Sequence, residues 1–316
     1  MTLTLPSEWI KRFNLQAGSE VDVLEKDNGL FITTEKNSSH KKAELNIDGL
    51  DIPTIWKYFM AVYREGYDEI IVKFSPELKL PSPYMFFSKR KLDLKFKKES
   101  ERKTGVDFLS QLVSRFIGLE IIDYGKDYVT IKDMTEPTSK EFDNSLRRIF
   151  LLIQQMVDEI VEALKSENTM SLEHIHSVDI NIDKFHDYCV RILNKMGNKE
   201  SRKTSLLYSS LFLLEMMGDE FKAISQHLIQ DYSKMSFKGI EQFMDSIKTG
   251  IYLYYDLFYK FNKETVVKMS ELDKERYFGL EKNKIEKAEE QEIFHHLRLI
   301  AKYLNALLEL RIEMEF

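Results

Sequence analysis

Proline runs out of this sequence early: every one of its 6 prolines lies at or before Pro137. Proline removes a helical donor and clashes with the preceding turn, so a long tract without it reads as one helix after another. Cysteine is nearly absent, with Cys189 alone, which excludes a disulfide framework and leaves His, Asp and Glu to do any metal work. No apolar run approaches the roughly 18 residues needed to span a bilayer. The opening MTLTLPSEWI lacks the charged start and apolar core of a signal peptide. The expectation is a soluble, cytoplasmic protein without membrane insertion. Positive charge is also in short supply: the net charge is −6 and the pI near 5.8, so the chain as a whole is no electrostatic match for nucleic acid. Nucleophile-elbow, Walker, dinucleotide-binding, H-E-x-x-H and C-x-x-C motifs are all missing, and an enzyme is not expected.

What is present divides into three parts. Residues 1–40 contain LTLP, read as a strand, then SEWIKRFNL, read as a short helix with Ser7 as its N-cap. VDVLEK and LFITTE follow, separated by Asp27, Asn28 and Gly29, a hairpin signal. Thr4, Leu5, Pro6, Glu8, Trp9, Leu15, Gly18, Val21 and Val23 fall where AbrB/SpoVT swapped-hairpin domains carry the same residues, and the module resembles that family. The resemblance implies a homodimer, since so small a unit cannot bury a core alone, and it implies DNA as a partner for residues 1–40. The basic Lys11, Arg12, Lys26 and Lys36 are outnumbered by Glu8, Glu20, Asp22, Glu25, Asp27 and Glu35, and the stretch that often carries DNA contacts in the family is expected to be missing. The plain alternative is a dimerisation handle.

Residues 43–136 read as a small α/β domain. AELNI and DEIIVKF are strands, PTIWKYFMAVYREG is a helix stopped by Gly66, and VDFLSQLVSRFIG is a helix ended by Gly118. LEIIDYG and YVTIKDM form a closing hairpin. Within it, residues 86–105 carry eight Lys or Arg against three acids. That run is either a patch for phosphate-rich partners or a solvated loop.

Residues 138–316 are mainly α, with helices over about 140–167, 171–196, 201–232, 236–262, 264–290 and 291–315. Three helices followed by three suggest tandem units, 138–233 and 234–316, and the stretch from Leu211 repeats at a separation of 83 residues. The third helix holds LFLLEMMGDEF, with Glu215 and Asp219 four residues apart on one face. The second holds Asp179 and Asp183 at the same spacing, with His176 three residues before Asp179 on the same stripe. Four carboxylates gathered together repel unless protonated, paired with cations or bridged by a metal. Their oxygens suit Fe, Mn, Mg, Ca or Zn. The plain reading is that the acids pair with Lys or Arg, or face solvent.

LLEMMGDEFKAIS resembles the L-E-x-x-G-D-x-x-x-x-I motif of PhoU, the phosphate-uptake regulator, and Asp179 to Asp183 resembles its partner D-x-x-x-D. The whole order of modules is similar to that of archaeal phosphate-uptake regulator proteins. The resemblance implies a PhoU-like pair of tandem three-helix bundles with Asp179, Asp183, Glu215 and Asp219 as metal ligands and His176 as an added one. It also implies iron or zinc as the metal, and the phosphate ABC transporter or its signalling partner as the protein contact. Manganese or magnesium would suit the same oxygens. In the second unit, Arg298 stands where Glu215 stands and Lys302 where Asp219 stands, facing Glu271 and Glu275 as prospective ion-pair partners. One metal site per chain, in the first unit, is therefore expected. His295 and His296 diverge by about 100° on a helix, so one should be inward and one exposed. Cys189 reads as a small buried hydrophobe. The leading function is regulation of phosphate uptake. The alternatives are a metal-binding, AbrB-type DNA-binding regulator and, further off, a metal-dependent phosphoesterase.

Overall fold

The computed structural model describes residues 3–26, 29–33, 41–83, 102–166, 168–196, 201–235, 239–280 and 287–316. At the N-terminus a short helix α1 (Ser7–Arg12) precedes a hairpin of β1 (Asp22–Lys26) and β2 (Gly29–Thr33), paired antiparallel with Lys26 opposite Gly29. Two expectations change here. LTLP forms no strand, because a segment without a neighbouring strand has no ladder of hydrogen-bond partners. Ser7 is the first helical residue rather than the cap; Pro6 takes the cap position, with no side-chain capping bond. Asp27 and Asn28 lie outside the described residues, and Gly29 belongs to β2.

The second part is a four-stranded sheet with helices packed on it. Its elements are β3 (Lys42–Asn46), α2 (Ile52–Glu65), β4 (Glu69–Lys73), β5 (Lys79–Leu80), β6 (Lys103–Thr104), α3 (Gly105–Val113), β7 (Leu119–Tyr124) and β8 (Tyr128–Asp133). The sheet order is β3-β4-β8-β7, with β3 parallel to β4 and the other neighbours antiparallel, while β5 and β6 pair separately. Alternation explains which face is covered: Ile70, Val72, Val129 and Ile131 are buried, as a strand period of two requires. Phe116 sits among Trp56, Phe59 and Tyr63 of α2, with ring centroids 4.7–6.3 Å apart. Asp51 caps α2 by accepting from the Thr54 amide at 2.9 Å, and Gly66, at φ 88°, ends it in the left-handed region. The second helix is shorter than its sequence pattern: α3 stops at Val113, and the chain turns through Ser114 before Gly118. Of the basic run 86–105, residues 86–101 lie outside the described residues; Lys103 and Thr104 form β6.

The third part is helical: α4 (Ser139–Ser166), α5 (Ile175–Met196), α6 (Ser201–Asp231), α7 (Ile240–Tyr259), α8 (Lys263–Leu280) and α9 (Ala288–Glu313), with a 3-10 turn at Met170–His174 leading into α5. Thr138 and Glu141 form a capping box at the start of α4, the Thr138 amide donating to Glu141 and the Glu141 amide to Thr138 Oγ1. The expected fifth helix does not run to 290: α8 is described as far as Leu280, residues 281–286 lie outside the described residues, Lys287 is extended and α9 begins at Ala288. Helix α4 packs on α5, α6 and α7, and α9 packs on α6, α7 and α8. The buried faces of α6 and α9 coincide at an offset of 83 residues. Leu211, Leu214, Met217, Gly218, Phe221 and Ile224 correspond to Phe294, Leu297, Ile300, Ala301, Leu304 and Leu307, and all twelve are buried. No helix among the described residues is long and apolar enough to cross a membrane.

Candidate functional site

The carboxylates singled out in the sequence face one another across the α5–α6 contact. Gly218 is what lets these helices come close: a Cβ there would meet Ile182 Cδ1 at 3.1 Å and Asp179 Oδ1 at 3.6 Å. Asp179 is buried, Asp183 and Glu215 are half-buried, and Asp219 is exposed. Lys222, one turn beyond Asp219, bridges the seam. Its Nζ donates to Asp179 Oδ2 at 2.6 Å and also to Asp219 Oδ1. Arg115, from just after α3, donates through Nη2 to Asp183 Oδ2 at 3.1 Å and through Nη1 to Asp187 Oδ2 at 2.8 Å. Arg64, near the end of α2, closes on Asp187 Oδ1 through Nε at 2.7 Å and Nη2 at 2.6 Å. The Arg115 guanidinium lies 5.0 Å from the Trp56 ring, so its other face is shielded from water.

Asp187 continues a stripe that steps every four residues along α5: Asp179, Asp183, Asp187, Arg191, Lys195. Beyond the acids the sign reverses. Arg191, fully buried, donates to the Tyr63 carbonyl at 2.6 Å, the Tyr67 carbonyl at 2.7 Å and Asp133 Oδ2 at 2.6 Å. Lys195 reaches Asp68 at 2.5 Å and Asp133 at 3.2 Å. Helix α5 is thus the shared element through which the bundle grips the sheet domain.

The electrostatics divide along the same stripe. Burial opposes ionisation of Asp187, but the hydrogen bond from His186 and the charges of Arg115 and Arg64 outweigh it and hold the group at about 2. Asp183 moves the other way, to about 7, because burial and the neighbouring Asp179 charge prevail over Arg115. Glu215 rises to about 8 through burial and the charges of Asp183 and Asp219. Burial also raises Asp179 against the pull of Lys222. Five carboxylates (Asp179, Asp183, Asp187, Glu215, Asp219) therefore meet three cations (Lys222, Arg115, Arg64), a deficit of two positive charges. That shortage of positive charge, together with burial, is why Asp179, Asp183 and Glu215 all favour their protonated forms more than a free carboxyl does.

His176 is half-buried one turn before Asp179. Among the described residues, neither it nor any of the four carboxylates belongs to a set of three ligand-type atoms within 4.8 Å; that spacing occurs at His227, Glu292 and His296. The sequence reading missed the cations from the sheet domain, since Arg64 and Arg115 lie far from α5 in the chain. Asp187 and Lys222 were visible in the four-residue step and in the motif itself. In the second unit, Arg298, Lys302, Glu271 and Glu275 are all exposed, and no ion pair joins them among the described residues. Exposed long side chains gain little by pairing, which accounts for the difference from expectation. His295 is exposed and His296 half-buried, and Cys189 is buried with its thiol pushed well up by burial.

Comparison with known proteins gives one local result. Residues 2–39 match the family model described as antidote-toxin recognition MazE, bacterial antitoxin. The N-terminal module is AbrB-like. No curated protein and no solved structure matches the chain. None of the module's side chains whose burial is described is buried, and Leu3, Phe13, Val23 and Leu30 are exposed at 66%, 42%, 53% and 62%.

Proposed function

We propose that this protein is a homodimeric regulator in which an AbrB/MazE-like module pairs with that of a second copy and contacts DNA, while the helical bundle reports a ligand state to it. The observation that carries this reading is the N-terminal match to residues 2–39 in a module that leaves Leu3, Phe13, Val23 and Leu30 exposed, as a half-core awaiting its partner would. Lys11 and Arg12, in the last turn of α1, are the cations nearest to hand for phosphate contact.

The finer reading is regulation of phosphate uptake in the cytoplasm, with the bundle docking on the phosphate ABC transporter or its signalling partner. Its support is the L-E-x-x-G-D motif and the acidic seam that the motif helps build. The seam's donors suit a cation: Asp179, Asp183, Glu215 and Asp219 offer oxygens, and the missing two positive charges match one divalent ion. Iron or zinc is the proposed metal, with manganese or magnesium as variants. It would neutralise the carboxylates and favour the ionised forms of Asp183 and Glu215, so that binding releases protons.

Titrating labelled duplex DNA with the full-length protein at several salt concentrations tests the main reading. Binding whose log affinity falls with log salt is expected. A dimer that binds no DNA even at low salt reduces the module to a dimerisation handle, and a monomer in light scattering sinks the reading. Metal content before and after Asp219→Ala tests the finer one.

A further inference from the structure

A different group of side chains carries the stronger argument for a metal. Where α6 meets α9, His227, Glu292 and His296 bring one ligand atom each within 4.8 Å of the others. Glu292 and His296 lie four residues apart on α9 and share a face; His227 enters from α6. The two imidazole rings stand 5.5 Å apart at 36°. His296 is already oriented from behind, since its Nδ1 engages Glu220 Oε2 at 2.5 Å, and Glu220 in turn accepts from the Tyr303 hydroxyl at 3.4 Å. A carboxylate on one ring nitrogen fixes the ring and leaves the other nitrogen as the donor, which is how metal-ligating histidines are usually held.

Ordinary packing would explain such a group if the helix contact required it. The 83-residue register shows that it does not. The positions 83 residues away are Ser209, Leu213 and Leu310, so the repeated helix pattern is written there without a single ligand.

We infer that His227, Glu292 and His296 form a binding site for one borderline divalent cation, Zn(II) foremost, clamping the C-terminal half of α6 to the start of α9. Two nitrogens and a carboxylate oxygen without thiolate suit Zn(II), Co(II) or Ni(II). Three protein ligands leave a coordination position for water, and the exposure of Glu292 opens the site to solvent. Such an ion would tie the first three helices of the bundle to the last three, at a place distinct from the acidic seam.

The test is titration of metal-free, full-length protein with Co(II), followed through its visible spectrum, and competition with Zn(II). One equivalent with the absorption of a nitrogen-ligated, four-coordinate ion is expected. His227→Gln and His296→Gln should each weaken binding at least tenfold, and Glu220→Gln should weaken it about 10–100-fold through the lost ring orientation. Glu292→Gln, at an exposed position, keeps the test informative if a histidine variant fails to fold, and should also weaken binding at least tenfold. Asp219→Ala should leave this equivalent in place while removing any metal held by the seam. Co(II) affinity unchanged in His227→Gln/His296→Gln, no nitrogen-ligated spectrum in the unaltered protein, or loss of the equivalent in Asp219→Ala would each overturn the assignment.

Discussion

Helices α6 and α9 bury the same positions in the same register, yet the α6 positions Glu215 and Asp219 meet charge on a neighbouring helix and their α9 counterparts do not. On α6, Glu215 and Asp219 look onto three aspartates of α5 and draw in Lys222, Arg115 and Arg64. On α9, the corresponding Arg298 and Lys302 stand in solvent. Packing fixes which residues are inside; it leaves the flanks free, and one flank was filled with chemistry while the other was not.

The largest effect should come from breaking the α5 stripe where it is most buried. Asp187→Ala strands Arg64 and Arg115 without their shared carboxylate and is expected to cost about 3–5 kcal/mol by urea unfolding. Arg298→Ala, at the exposed α9 position that corresponds to Glu215, should stay within about 0.5 kcal/mol. Equal costs would erase the distinction between the two flanks. Gly218→Val ranks next. Its branches would press on buried Ile182 and on Asp179, for an expected cost of about 1–3 kcal/mol. A neutral result would mean that the close approach of α5 is not required.

The smallest effect is one of pH, and its sign is specific. Asp183 and Glu215 bind protons more tightly folded than unfolded, so the native state carries more protons than the unfolded one between about pH 4 and 8. Their contribution is nil below the unfolded carboxylate range, becomes a penalty that grows as pH rises above it, and levels off once pH passes about 7 and about 8. Asp183→Asn and Glu215→Gln, measured in chelator-treated buffer, should therefore gain stability relative to the unaltered protein between pH 6 and pH 9. A parallel fall in all three would remove these groups as the cause. Asp187 works oppositely: its stabilisation is present above the ordinary aspartate value and is lost as pH falls towards about 2.

How much of this was legible in sequence follows from how far each interaction reaches. Strand alternation in β4 and β8, the glycine after α2 and the proline-free run of helices are local signals, and they were readable. Asp179, Asp183, Glu215 and Asp219 could be grouped because two helices brought four-residue steps together. Arg115 and Arg64 could not, since nothing in their own neighbourhood marks them as partners of α5. His227 was passed over for the same reason: one histidine on α6 means little until Glu292 and His296 arrive from α9. The Ser7 cap and the start of the sixth helix, at Ala288 rather than about 291, were missed at element boundaries, where sequence signals are weakest.

The stripe on α5 has a mechanical consequence as well. Four of its five charged positions are gripped by the sheet domain, Asp183 and Asp187 by its arginines and Arg191 and Lys195 by Asp133 and Asp68, while Asp179 is held by Lys222 of α6. Inserting one residue within α5 would turn everything beyond it by about 100°, carrying part of the stripe out of alignment with its partners. The helix is keyed like a splined shaft: it cannot turn in the bundle without turning in the sheet domain too.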